Sequence, residues 1–255
     1  MKFFKQRIDT SENITQFNTA KPFPHVVIDN AIDPMALREL VSKYPSVTEK
    51  KWWVYDNALE RKYAFNDLSQ LDHAFGAFFA EVNSPEFIKQ LGRIAGLENL
   101  VPDHALRGGG LHQIVRGGKL DVHEDFNVHH ELKAFRKINM IVYLNEGWEP
   151  SWGGDLQLWN ADMTKCEKSV LPVFNRAVVF RTDMKSNHGH PDPLMCPEGM
   201  TRRSLATYYY VPMTDEEYVS TSTQFKKRPQ DPNDPTLDEL RAKRNRGRLE
   251  DKTSK

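Results

Sequence analysis

The sequence is short of the features that announce several protein classes. Its two cysteines, Cys166 and Cys196, are too few for a disulfide framework and match no paired-cysteine zinc spacing, so both are expected as free thiols. No stretch approaches the roughly 20 uninterrupted apolar residues needed to cross a bilayer. Met1 to Thr10 carries scattered charges and lacks the apolar run of about 7 to 15 residues that marks a secretory signal. A cytoplasmic location is the expectation. Neither charge is in excess: 35 basic and 35 acidic residues cancel, leaving no global field to draw the protein to nucleic acid or anionic lipid. No internal repeat is visible.

What the chain does have is a change of pattern part-way along. His25 to Asp29 reads as a short strand, after which Asp33 can cap a helix that has Pro34 in its first position and Leu37, Leu40, Val41 and Tyr44 on one face. Leu71 to Val82 sets Leu71, Phe75, Phe78 and Phe79 on one side, and Ser84-Pro85 opens a third helix with Phe87, Ile88 and Leu91. Such stripes are core faces. From about His104 the chain turns to β-rich runs: Leu111 to Val115, Asn139 to Leu144, Leu156 to Trp159, Ala177 to Phe180 and Ser204 to Val211. Gly108-Gly-Gly110, Gly117-Gly118 and Gly153-Gly154 punctuate them. Many short strands without intervening helices imply a sandwich, jelly roll or barrel. Beyond Pro212 the apolar content falls, and Lys226 to Pro235 reads as an extended or mobile connector. Thr236 and Glu239 have the spacing of a capping box, and the basic stretch Arg241 to Arg248 reads as a solvated helix end. The expected division is a supporting strand and helices over 1–103, a β core over 104–212 and a polar extension over 213–255.

The chemistry concentrates in Lys119 to Phe126. Alternate residues of a strand share a face, so His123 and Asp125 can reach one ion. They supply half a site. Two histidines and one carboxylate on one face of an octahedron suit ferrous iron, so a second histidine is needed. The apolar run Ala177 to Phe180 leads through a polar loop to His188-Gly-His190, and a later strand carries Arg202 with Ser204 two residues on, facing the same way.

With these residues the sequence resembles the 2-oxoglutarate- and iron(II)-dependent oxygenases of the prolyl 4-hydroxylase type. Their order is His-x-Asp, then a distant His, then Arg or Lys, and the separations here fall within the family's range. The likeness spans about His112 to Val211, with a weaker extension near Val26 to Tyr44. It implies a double-stranded β-helix packed by N-terminal helices. It also implies Fe(II), 2-oxoglutarate and O2, with ascorbate as a candidate reductant. His123, Asp125 and His188 resemble the metal ligands; His190 competes for the third place or faces substrate, and the Gly that follows His188 favours His188. Arg202 is similar to the anchor of the keto acid's distal carboxylate, which a guanidinium fork grips through two parallel bonds. Ser204, Tyr143 and Gln113 are expected beside it.

Because Asp125 is present, where halogenating relatives replace the carboxylate, the resemblance implies hydroxylation of an unactivated C–H bond. A peptide or protein prolyl residue is the first expectation for substrate, and a free amino acid or other small metabolite the alternative. Arg136, Trp148 and Trp152 are expected toward the substrate, whereas Trp159 is expected in the core and His129 and His130 in solvent. No separate acid or base is expected. Two readings of other classes stand beside this one: a zinc-dependent cupin-like hydrolase or isomerase using the same triad, and a non-catalytic binding module acting through the basic tail. The zinc reading gives Arg202 and Ser204 no role.

Overall fold

The computed structural model describes residues 2–49, 52–182, 185–214 and 219–246. Its helices are α1 (Ser11–Thr19), α2 (Pro34–Ser42), α3 (His73–Val82), α4 (Pro85–Ala95) and α5 (Pro235–Asn245). The strands of the N-terminal part are β1 (His25–Asp29), β2 (Trp53–Asp56), β3 (Glu60–Phe65) and β4 (Val101–Pro102). Then follow β5 (Gly110–Val115), β6 (Lys119–Glu124), β7 (Val128–His129), β8 (Ala134–Tyr143), β9 (Leu156–Trp159) and β10 (Cys166–Val170). The last are β11 (Arg176–Arg181), β12 (His188–His190), β13 (Thr201–Pro212) and β14 (Gln224–Phe225). Both cysteines are free, and no helix among the described residues is long and apolar enough to cross a membrane.

The helix starts follow from their capping residues. The Asp33 carboxylate accepts from Ala36 N at 3.0 Å with Pro34 in the first turn, and Ser84 Oγ accepts from Phe87 N at 3.3 Å ahead of Pro85. Gly96, at φ 62°, closes α4 in the left-handed conformation that glycine adopts most cheaply. Helix α3 begins at His73 rather than Leu71, because Asp72 accepts from Ala74 N and caps it. Helix α1 and the β2–β3 hairpin have no counterpart in the sequence reading.

The strands pair antiparallel along a path β1-β11-β8-β13-β5-β3-β6-β12-β9-β10. Alternation then sorts the side chains of β8, β11 and β13 onto two faces. Val142, Met140, Ile138, Ala177, Val179, Leu205 and Tyr209 join the large core with Phe17 of α1, Leu37 and Leu40 of α2, Phe75, Phe78 and Phe79 of α3, and Leu91 and Ile94 of α4. On the opposite face Tyr143, Val178 and Phe180 meet Leu156, Leu158 and Val170 from the far end of the path. The strand path therefore folds over itself, and the result is a double-stranded β-helix backed by helices on one side.

The C-terminal part departs from expectation. Helix α5 is capped by Asp234, which accepts from Thr236 N and Leu237 N with Pro235 in the first turn, so Thr236 lies inside the helix instead of capping it. The connector before it is tied down: Arg228 bonds Asp231 and pairs with Asp192 at 2.9 Å. Within the basic stretch Arg241 is 6% exposed, far from a solvated end. Gly247, Arg248 and the acids that follow lie outside the described residues.

Candidate active site

Strand β12 lies antiparallel to β6 with His188 opposite His123, and Asp125 follows one residue beyond the end of β6. Pairing register alone thus brings two distant histidines and the carboxylate together. His123 Nε2 is 3.7 Å from Asp125 Oδ1, and His188 Nε2 is 3.4 Å from Asp125 Oδ2. One donor atom from each of the three fits within 4.8 Å of the others, so the trio could hold one metal ion. Each imidazole is oriented by its own strand: His123 Nδ1 donates to Asp121 O at 2.9 Å and His188 Nδ1 to Ser186 O at 2.8 Å. With the proton on Nδ1, each Nε2 presents its lone pair inward.

The electrostatics suit the same end. Burial pushes His188 down from 6.5 to about 4, although the Asp125 charge pulls the other way, so its ring is neutral at pH 7. For Asp125 burial acts to raise the pKa, but Arg136, His188 and His123 outweigh it and hold the carboxyl well below the usual range. Its Oδ2 lies 3.0 Å from Arg136 Nη2 and accepts from Asn139 Nδ2 at 2.8 Å. A neutral buried imidazole has a consequence for pH. Because the His188 pKa is lower in the folded chain, the unfolded chain takes up the extra proton between pH 6.5 and about 4. The metal-free protein should therefore lose stability across that window as pH falls. Urea midpoints at pH 7 and 4.5 check this, and His188→Gln should flatten the slope.

Arg202 and Ser204 share a face of β13, and Ser204 pairs with Tyr143 of β8 and His112 of β5. Arg202, 4% exposed, donates from Nε to Gly154 O at 2.7 Å and from Nη2 to the Tyr143 hydroxyl at 3.2 Å. Among the described residues no carboxylate comes within 4.0 Å of it. A buried guanidinium without an acid is costly unless an anion joins it. Gly154 makes the approach possible. It has φ +79°, and a Cβ there would fall 2.7 Å from Leu194 Cδ2 and 3.0 Å from Arg202 Cδ. Gly154→Ala should displace the Arg202 side chain and weaken 2-oxoglutarate binding by about ten-fold, the worth of one hydrogen bond to a charged group, while leaving metal affinity intact. Calorimetric titration of each ligand checks it.

Several expected residues fall elsewhere. Gln113 pairs with Arg203, not Arg202, so it projects from the opposite face of the sheet and donates from Nε2 to Thr201 Oγ1 at 2.9 Å. It cannot stand beside Arg202. Arg136 is 3% exposed, bound to Asp125 and Asn139 and covered by the Tyr208 ring 3.4 Å away, so it braces the carboxylate. Trp148 is buried with Ile114, Leu194 and Cys196, and its Nε1 donates to Gly153 O at 2.9 Å; Trp152, half-buried, meets it edge-on. Trp148 is therefore packing. His190 is buried, and neither ring nitrogen has a partner within the protein. His129 is buried against Asp103, with Nε2 3.4 Å from Oδ2, contrary to expectation, while His130 is exposed. Sequence reasoning missed Asn139. Asn139 lies on the inner face of β8 two positions from Ile141, a polar residue at an apolar strand position, and that was its only signal.

Residues 109–210 match the family model of the 2OG-Fe(II) oxygenase superfamily. This segment carries the triad, Arg202, Ser204 and Tyr143, and it is an oxygenase domain of that class, one that uses iron(II) and 2-oxoglutarate. A Pseudomonas putida prolyl-4-hydroxylase superposes with a TM-score of 0.57 at 18% identity, over 79% of this chain and 100% of that one. A prolyl hydroxylase from Trichoplax adhaerens, solved with a hypoxia inducible factor peptide fragment, gives 0.53 at 17% identity, over 77% and 86%. HygX from Streptomyces hygroscopicus, with nickel and 2-oxoglutarate bound, gives 0.53 at 12% identity, over 80% and 87%. At these identities the likeness is one of fold. No curated protein matches the chain.

Proposed function

We propose that His123, Asp125 and His188 hold the iron, that Arg202 with Tyr143 and Ser204 holds the distal carboxylate of 2-oxoglutarate, and that the substrate is a prolyl residue of a peptide or protein. The observation that carries the site assignment is the buried, acid-free guanidinium of Arg202. It shares the interior with the triad: Tyr143 packs in one cluster with Leu158 and Phe180, Leu158 pairs with His188, and the Phe180 ring lies 4.7 Å from the His188 ring. An anion on Arg202 and a metal on the triad would thus be neighbours, which is the demand of a keto acid that binds both. Among the described residues this trio is the metal-competent cluster of His, Cys and acids.

When bound, iron and 2-oxoglutarate supply the chemistry that converts a C–H bond to an alcohol with O2, releasing succinate and CO2. The chain's own residues do the rest. Asp125 stays ionised because the Arg136 charge lies beside it, and the two imidazoles are aimed by their carbonyl partners. Leu156, Leu158, Val178 and Phe180 keep water from the interior. His190, unpaired and buried within the field of Arg202 and His123, has an N–H to offer the bound keto acid.

The substrate reading rests on a cavity of about 210 Å³ that borders Asp125, lined by Phe126, Asn127, Phe135, Arg136, Lys137 and Thr182. That is below the roughly 300 Å³ of pockets that enclose a whole small ligand. It suits one ring-bearing residue of a longer chain, in keeping with the prolyl hydroxylases that share the fold. A free amino acid also fits that volume. Incubation with Fe(II), 2-oxoglutarate, ascorbate and O2 against peptide and metabolite libraries decides between them. The expected result is succinate release coupled to a mass gain of one oxygen on proline-containing peptides. Coupled oxidation of free amino acids alone would overturn the peptide assignment, and no succinate under any iron supplementation would overturn the site.

A further inference from the structure

The segment after β13 reads in sequence as a polar extension, yet it is built against both histidine-bearing strands. Strand β14 adds to the edge of β6 with Phe225 opposite His123 and Gln224 opposite Glu124, and Lys226 N donates to Val122 O at 2.8 Å. The Phe225 side chain is 3% exposed, and its ring lies 5.8 Å from the His123 ring at 43°. Helix α5 locks this strand from outside. Asn245 Oδ1 accepts from Phe225 N at 2.7 Å, its Nδ2 donates to Phe225 O at 3.1 Å, and Gln224 Nε2 donates to Asn245 O at 2.8 Å.

One turn back on α5, Arg241 is sunk among three carboxylates: Asp238 at 2.9 Å, Asp121 at 3.3 Å and Asp231 at 3.7 Å. Asp121 is the residue whose carbonyl orients the His123 imidazole. Arg244 pairs with Glu60 of β3 and lies over the Phe225 ring. Arg228 reaches the other histidine strand through Asp192, just beyond His190. An ordinary solvated tail would bury none of these charges.

We propose that residues 219–246 form a clasp that sets the position of His123, with Phe225 and Arg241 as positioning residues for the metal site; this rests on the triad assignment above. Phe225 limits the tilt of the imidazole by direct ring contact. Arg241 fixes the backbone at Asp121 by holding its side chain, and so fixes the acceptor of His123 Nδ1. Partners of this outer kind change metal affinity by about 10- to 100-fold when removed.

The test titrates the metal-free full chain with Co(II) alone, read by its visible absorption, at a temperature well below the melting transition of each variant. Phe225→Ala and Arg241→Ala are expected to weaken Co(II) binding by about 10- to 100-fold and alter the band shape. Arg241→Lys should restore part of the affinity, since an ammonium keeps the charge without the fork. Phe225→Leu, which keeps most of the volume and loses the ring, serves if the alanine variant does not fold. Arg38→Ala, a surface pair with Glu146 near α2, should leave binding at the parental value. Melting temperatures that fall while Co(II) affinity and spectrum stay parental in Phe225→Leu and Arg241→Ala would overturn the clasp. Parental Co(II) affinity in His188→Ala would instead overturn the triad on which it rests.

Discussion

Replacing Arg202 by alanine is expected to raise the 2-oxoglutarate concentration needed for half-maximal turnover by about 100- to 1000-fold, with metal affinity unchanged. Two charge-assisted hydrogen bonds to a carboxylate are worth about 3 to 4 kcal/mol together, which converts to that range. The loss is one of anchoring. It should therefore fall on KM more than on kcat, since the keto acid's far end is held alike throughout the reaction. Arg202→Lys should recover only part, because a lysine cannot bond both oxygens in parallel and cannot also keep the Nε contact to Gly154. The neighbouring residue is the control. Arg203 lies on the opposite face of β13, over the Tyr44 ring at 5.3 Å and bonded to Thr201, so Arg203→Ala should leave the 2-oxoglutarate requirement at the parental value. If Arg203→Ala reproduces the defect and Arg202→Ala does not, the assignment of the anchor fails. Tyr143→Phe, which removes one neutral donor, should cost about 1 kcal/mol, or five-fold in the same titration.

How far the sequence was readable depended on the range of the interaction that decides each feature. Local signals held. Asp33-Pro34 and Ser84-Pro85 start helices because the capping side chain and the N–H that donates to it sit within one turn, and β9 runs over Leu156–Trp159 as read from its β-rich composition. The convergence of His123 and Asp125 with His188 was expected from the sharing of faces by alternate residues, and the three do come together, although Asp125 lies one residue past the end of β6. Gln113 failed for an instructive reason. It was expected there from the resemblance alone, but the turn at Gly117-Gly118 puts it on a different strand from His123, where its face is set independently. Its partner across the ladder, Arg203, is what sets its face. Arg136 was expected toward a substrate and Asn139 was not singled out, because the acid both of them hold, Asp125, comes from just beyond the end of a different strand, β6. The clasp was the least legible part. Arg241 and Asp121 are 120 positions apart, and a basic helix whose only apolar face is Leu237 and Leu240 gives no hint that its arginines are buried.

The second large effect concerns the pair that braces the metal carboxylate. In the metal-free protein Asp125→Ala should lower the unfolding free energy by about 3 to 5 kcal/mol, the usual cost of leaving one partner of a buried ion pair uncompensated. The side chains of Arg136 and Asp125 are only 2% and 11% exposed, so water can replace little of the lost carboxylate. The guanidinium keeps its bond to Asn139 Oδ1 at 2.8 Å and its contact with the Tyr208 ring, which argues for the lower end of that range. Metal binding should be lost as well, but the two losses have separate origins and can be parted. In Asp125→Ala/Arg136→Met both charges are gone and an apolar chain fills the space against Phe126 and Tyr208, so most of the stability should return while Co(II) binding does not. Urea denaturation of the three metal-free proteins gives the comparison directly. Should Asp125→Ala prove as stable as the parent, the carboxylate would be a net burden in the absence of metal, held in place only by the surrounding fold. In that case Arg136 would be stabilised chiefly by its aromatic neighbours, and the double variant would gain nothing over the single one.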